Sequence, residues 1–217
     1  MIMHYMRRND YYVLAVDIEA SGSSKKRHGI VSIGASAQDR YSNEVASFQI
    51  NLSLPSEKEY EEKCIKNFWQ KNPEAYKFVQ TNMVEPKIAI EKFTDFLGQV
   101  ERNYNQNGQL RIVSDNPRFD VAWLNHYIDE YTDRHTLDHN MFGDYRFVWD
   151  INSMMKVLLS ITRRNINADW GLADRLGFKS RWIADHNPLN DARTIADYYN
   201  QIVNQMESLG RAYEYSG

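Results

Sequence analysis

At 217 residues, with 42% hydrophobic and 25% charged residues, the chain has the size and balance of one well-filled globular domain, which excludes both a largely disordered protein and two ordinary domains. A formal net charge of −3 excludes a dedicated nucleic-acid coating protein, so any polyanion must be met by local basic groups. The single cysteine, Cys64, excludes an intrachain disulfide and is read as structural.

Residues 11–209 are read as one domain, with 1–10 as a polar leader and 210–217 as a tail. No apolar run approaches about 18 residues and no signal-sequence pattern opens the chain, so a soluble, cytoplasmic protein with no membrane partner is expected. YYVLAVDIEA (11–20) is a nearly unbroken apolar run ending in acids, which predicts a central strand buried on both faces. GIVSIGASA (29–37) and EVASFQINL (44–52) follow as strands, and three in succession suggest an antiparallel meander. Helical periodicity fills 60–81, with a break or restart at Asn72-Pro73, and returns in 86–103.

LRIVSD (110–115) predicts a fourth strand and RFVWDI (146–151) a fifth, separated by an amphipathic helix over 117–132. The stretch 133–145 is expected to be the most flexible loop. A last apolar stripe, from Ala192 to Met206, predicts a C-terminal helix over 188–208. The order is that of a layered α/β fold.

Chemistry concentrates at three places. Asp17 and Glu19, two apart on a strand, present their carboxylates to one side at its C-terminal end, where open α/β sheets place ligands. Like charges so close on an apolar strand repel unless a cation lies between them, and a hard divalent ion answers that cost. NPRFD (116–120) and NPLND (187–191) are both Asn-Pro-x-x-Asp leading into a helix. In each, Asn can cap, Pro suits the first helical position, and Asp120 or Asp191 falls about one turn inside, where the helix dipole favours a carboxylate. His186 enters the last helix five residues before Asp191, and an imidazole there is placed to accept a proton.

DIEASG (17–22), DNPRFDVAWL (115–124) and HNPLNDA (186–192), in this order, resemble the three motifs of the DEDDh branch of the DnaQ-like exonuclease superfamily, over roughly Tyr12 to Met206. The resemblance implies a ribonuclease H-like fold: a mixed five-stranded sheet, antiparallel meander plus parallel strands, flanked by helices. It also implies 3′→5′ hydrolysis of DNA or RNA, single-stranded or 3′-overhanging, with release of nucleoside 5′-monophosphates. Two Mg²⁺ or Mn²⁺ ions per active site would be held by Asp17, Glu19, Asp120 and Asp191, with His186 as general base. Ile18, Ser21, Gly22, Asn116 and Phe119 would contact substrate. Asp115 stands where the family commonly has His, and Pro188 where Ala is common.

NFWQKNPEA (67–75) more loosely resembles the Trp-rich segment of phage-type exonuclease A, which would let Trp69 or Phe68 stack on a base, although core packing is the better reading of both. Lys25, Lys26 and Arg27, on a loop leaving the first strand, could guide a phosphate backbone. The clusters Arg163-Arg164 and Arg175, Lys179 and Arg181 are solvated surface unless they flank the site. His135 and His139 have a spacing conceivable for Zn²⁺ but lack a third ligand. The rival readings are a catalytically inactive nucleic-acid-binding or scaffolding module on the same fold, and a haloacid dehalogenase-type phosphatase. The latter wants an Asp where this chain has Glu19.

Overall fold

The structure, a computed structural model, describes residues 11–105, 110–139, 147–162 and 171–214, with side chains as far as Gly210. The predicted leader, Arg163 and Arg164, 140–145 of the predicted flexible loop and Arg146 of the predicted fifth strand lie outside these residues. Five strands form one sheet in the order β3-β2-β1-β4-β5. β1 (Tyr12–Ala20), β2 (Ile30–Asp39) and β3 (Glu44–Asn51) are the antiparallel meander, while β4 (Leu110–Ser114) and β5 (Val148–Asp150) run parallel to β1.

The apolar run of β1 makes it central, because both its faces are covered. Leu14, Val16, Ile18 and Ala20 enter a core shared with α3 (Pro86–Tyr104) and α4 (Asp120–Tyr131). Tyr11, Val13 and Ala15 enter a second core shared with α5 (Ile151–Ile161), α6 (Leu172–Leu176) and α7 (Pro188–Glu214). By the two-residue alternation of a strand, Asp17 and Glu19 continue this second face. There the apolar series gives way to carboxylates.

The stretch 60–81 restarts at Pro73 as expected, since proline has no N–H to continue a ladder, and it divides into α1 (Glu62–Asn67), a 3₁₀ turn at 69–71 and α2 (Pro73–Val79). Two elements differ from expectation. β5 ends at Asp150 because that side chain turns to accept the Ser153 N–H at 3.0 Å and cap α5. α7 continues past 208 to Glu214, into the residues read as a tail. Among the described residues no helix is long and apolar enough to cross a membrane.

Candidate active site and metal centre

The ladder between β1 and β4 stops at Ala15–Val113, and β4 ends at Ser114. Beyond that point the two parallel strands part. A crevice of about 480 Å³ opens at their C-terminal ends, lined by Asp17, Glu19, Asp115, Asp120, His186 and Asp191, with Phe68, Asn116, Phe119 and Asn152 around them.

Asp17, Glu19 and Asp120 are buried, at 9%, 7% and 2% exposure, whereas Asp191 and His186 are half-buried. The acids and the imidazole fall into two groups. Glu19, His186 and Asp191 each bring a ligand atom within 4.8 Å of the others, and Asp17, Asp115 and Asp120 do the same. Asp17 Oδ2 is buried and has no hydrogen-bond partner in the protein. A buried carboxylate oxygen without a donor is costly, and an all-oxygen pocket of this kind fits Mg²⁺ or Mn²⁺.

The electrostatics agree. Burial first, then Asp120, Glu19, Asp191 and Asp115, push Asp17 well above the ordinary carboxylate range. Burial and then Asp191, Asp120 and Asp115 do the same to Glu19. Asp120 is pushed up to about 7 by burial and Asp115, against hydrogen bonds from Ser114 and the main chain of Ile18 and Asn116 that pull it down. Asp191 is also raised to about 7, by burial and Asp185. His186 is lowered by burial, with Asp185 opposing, so its imidazole is neutral at neutral pH.

Each group is built from local contacts. Asp120 is the first residue of α4, and its Oδ2 accepts the Ser114 hydroxyl at 2.5 Å. The start of α7 is seated on the sheet at Gly34, which pairs with Asp17 across β1–β2. A Cβ on Gly34 would lie 2.1 Å from the Pro188 carbonyl carbon, so any side chain there drives the helix off. Next to it on β3, Gln49 donates to the Asn187 side chain, whose Oδ1 also accepts the Leu189 N–H at 3.1 Å and so caps α7. His186 occupies left-handed backbone, φ 62°, a conformation in which His is over-represented. Its ring stands edge-to-face on Phe68 at 4.7 Å, and Nδ1 is 3.7 Å from Glu19 Oε1.

The structure therefore brings Asp17, Glu19, Asp120, His186 and Asp191 together, with Asn116 and Phe119 on the crevice wall. The side chain of Ile18 belongs to the opposite core, leaving its main chain to face the crevice. Trp69 is a correction: it is fully buried, packed on Tyr60, Phe68 and Tyr76, and cannot stack on a base. Its neighbour Phe68 faces the site instead. Ser21 is another: its hydroxyl donates to Glu59 O and accepts the Gly29 N–H, and its own N–H and C=O are bonded to Gly29 and Glu61. Its hydroxyl proton and its N–H are both committed, and it does not line the crevice. Gly22 serves packing, since a Cβ there would lie 2.4 Å from His28 Nδ1.

Lys25 ties its loop to α4 by donating to Ala122 O at 2.6 Å, while Lys26 and Arg27 are exposed. Arg181 donates to Ser42 O and, like Arg175 and Lys179, does not line the crevice. His135 and His139 join no group of three metal-ligating side chains among the described residues. Cys64 is half-buried, with burial raising its thiol, as suits a structural cysteine.

Sequence reasoning missed Gly34 and Gln49, named Asp115 only as a departure from the motif, and offered Phe68 for stacking only alongside Trp69. Only Gly34 carried a usable signal, as a lone glycine inside a strand pattern.

The sequence matches the 3′-5′ exoribonuclease Rv2179c-like domain over residues 12–203. The chain belongs to this family. Among solved structures it is similar to the nuclease domain of 3′hExo, a DEDDh family member, bound to rAMP, with TM-score 0.64 at 10% identity over 91% of this chain and 94% of that one. It is likewise similar to S. pombe Pop2p in its Mg²⁺- and Mn²⁺-bound form, with TM-score 0.62 at 18% identity over 88% and 82%. No curated protein matches the sequence. The fold is ribonuclease H-like of the DnaQ type, and the protein is a metal-dependent 3′–5′ exonuclease whose cofactor is a divalent cation.

Proposed function

We propose that the protein shortens single-stranded or 3′-overhanging RNA from its 3′ end, releasing one nucleoside 5′-monophosphate at a time. The observation that carries this reading is the pair of ligand groups joined through β1, one of which includes a neutral imidazole. RNA is favoured over DNA by the exoribonuclease description of the family.

Glu19 and Asp191 would hold one divalent ion and Asp120 the other, with Asp17 shared between them. Bound ions of this kind supply charge stabilisation for the attacking and leaving oxygens of an in-line displacement. His186 accepts the proton of the attacking water as its oxygen bonds to phosphorus. The bond from phosphorus to the 3′ oxygen breaks, and the departing oxygen takes a proton from solvent water, leaving a 3′-hydroxyl on the shortened chain. Phe119 and Asn116 line the wall where the terminal nucleotide would stack and hydrogen-bond.

Product analysis on matched 5′-labelled and 3′-labelled RNA and DNA oligomers, in Mg²⁺ and in EDTA, tests the proposal. The expected outcome is a descending ladder from 5′-labelled RNA, immediate mononucleotide release from 3′-labelled RNA, slower DNA turnover, and silence in EDTA. Internal cuts or cleavage in EDTA would contradict it. Retention of RNA without cleavage in Mg²⁺ would favour the inactive binding module.

A further inference from the structure

We propose that Asp115 is a fifth carboxylate of the metal centre, a direct ligand on the side of Asp17 and Asp120. The proposal rests on the metal-dependent exonuclease reading above and assigns a role to a residue outside its four carboxylates.

Asp115, Asp17 and Asp120 each turn one carboxylate oxygen to within 4.8 Å of the other two. The Asp17 carboxylate, which is buried, also has an oxygen, Oδ2, that lacks the donor a buried oxygen requires. Among the described residues, no ion pair engages any of the three. Three carboxylates this close, two of them buried, are held together against their own repulsion, and a hard cation is the partner that reverses its sign.

Asp115 is also held in place, unlike an acid at a loose loop tip. Its carbonyl accepts Asn152 Nδ2 at 2.9 Å from α5, and the next residue, Asn116, gives its N–H to Ser114 Oγ at 3.0 Å. That same hydroxyl donates to Asp120. One short chain of hydrogen bonds thus fixes the turn that carries both aspartates. The two cation positions are unequal: the one beside Asp115 is built on buried Asp17 and Asp120 and a hydrogen-bonded turn, whereas Asp191 on the other side is half-buried and tied to the loop before α7. The ion beside Asp115 should be the more tightly held.

Mn²⁺ titrations of the full chain, followed by calorimetry and by electron paramagnetic resonance, test this without reference to turnover. Wild type should bind Mn²⁺ in two classes. Asp115→Asn should weaken the tighter class by at least about tenfold, and Asp191→Asn the weaker class. Melting in EDTA gives a second readout. Metal-free Asp115→Asn should melt no lower than wild type, while the rise that Mn²⁺ produces should shrink. Asp115→Ala repeats both measurements should the amide disturb the turn. Unchanged Mn²⁺ affinity in both classes for these variants would overturn the role of Asp115 alone. Failure of wild type to bind Mn²⁺ would overturn the exonuclease reading and the proposal with it.

Discussion

At the entrance to α7, Asn187 caps the helix with its side chain, Pro188 is the first helical residue and Asp191 lies in the first turn. At the entrance to α4 the same order of residue types, Asn116 to Asp120, makes a tight turn instead, and the helix starts only at the aspartate. The difference lies in what each asparagine meets. Asn187 is approached by Gln49 from β3, which fixes its side chain for capping. Asn116 gives its N–H to Ser114 and its carbonyl to the Phe119 and Asp120 N–H groups at 2.8 and 2.9 Å, while its side chain caps nothing.

One aspartate is consequently fixed by burial and a hydroxyl. The other is half-buried and depends on a loop, its Oδ1 accepting the Asp185 N–H at 3.1 Å. A site with one half built into the sheet and the other carried by a loop can hold a metal and still admit a chain end.

The comparison breaks most completely at the carboxylates. Asp120→Asn and Asp191→Asn should each lower kcat by at least about a thousandfold, because both halves of the centre are needed together; steady-state rates in saturating Mg²⁺ decide this. His186→Ala should lower kcat by about a hundredfold with Mn²⁺ binding retained. Because burial lowers the His186 imidazole below its ordinary 6.5, activity at saturating metal should rise with pH through a midpoint below that value. The variant should lose this limb, and a wild-type midpoint above 7 would remove His186 from the base role.

Gly34→Ala comes next. Displacing the start of α7 should cost about ten- to a hundredfold in kcat with a smaller change in KM, as expected of misplacement and not of lost binding. The smallest effect sharpens the contrast between the pentapeptides. Asn187→Ala should lose about 1 kcal/mol of stability in urea unfolding, whereas Asn116→Ala should change little.

What could be read from the sequence was local. The apolar run of β1, the shared side of Asp17 and Glu19, and the stripe of α7 depend on residues a few positions apart, and each is found where the spacing put it. The cap at Asn187 followed from residue type, and the same rule failed at Asn116 because Ser114 had already fixed the turn. The contact between Gly34 and Pro188 spans most of the chain, and local spacing could not supply it. Phe68 and Trp69 had the same two readings in the sequence, and the 3₁₀ turn at 69–71 decides which of the adjacent rings enters the core and which faces the site. Ser21 fitted a family motif, but its hydroxyl was claimed by Glu59 and Gly29. Asp115 looked like a departure from that motif, and its nearness to Asp17 became visible only once β1 and β4 lay side by side.

The claim that these acids form a cation site is tested most directly by melting temperature against pH, in EDTA and in Mn²⁺. Asp120 and Asp191 stand at about 7 in the folded protein, and Asp17 and Glu19 well above their ordinary values. Carboxylates with raised values keep their protons in the folded state. Their contribution to stability is therefore complete below about pH 4 and is lost as pH rises toward 7, with a slope of up to about 1.4 kcal/mol per pH unit for each such group. In EDTA the melting temperature should fall between pH 5 and pH 8, and in Asp17→Asn this fall should be shallower. Mn²⁺ should reverse the fall, with a gain that grows with pH as it displaces the retained protons. A melting temperature flat across this range in EDTA and indifferent to Mn²⁺ would contradict the metal centre.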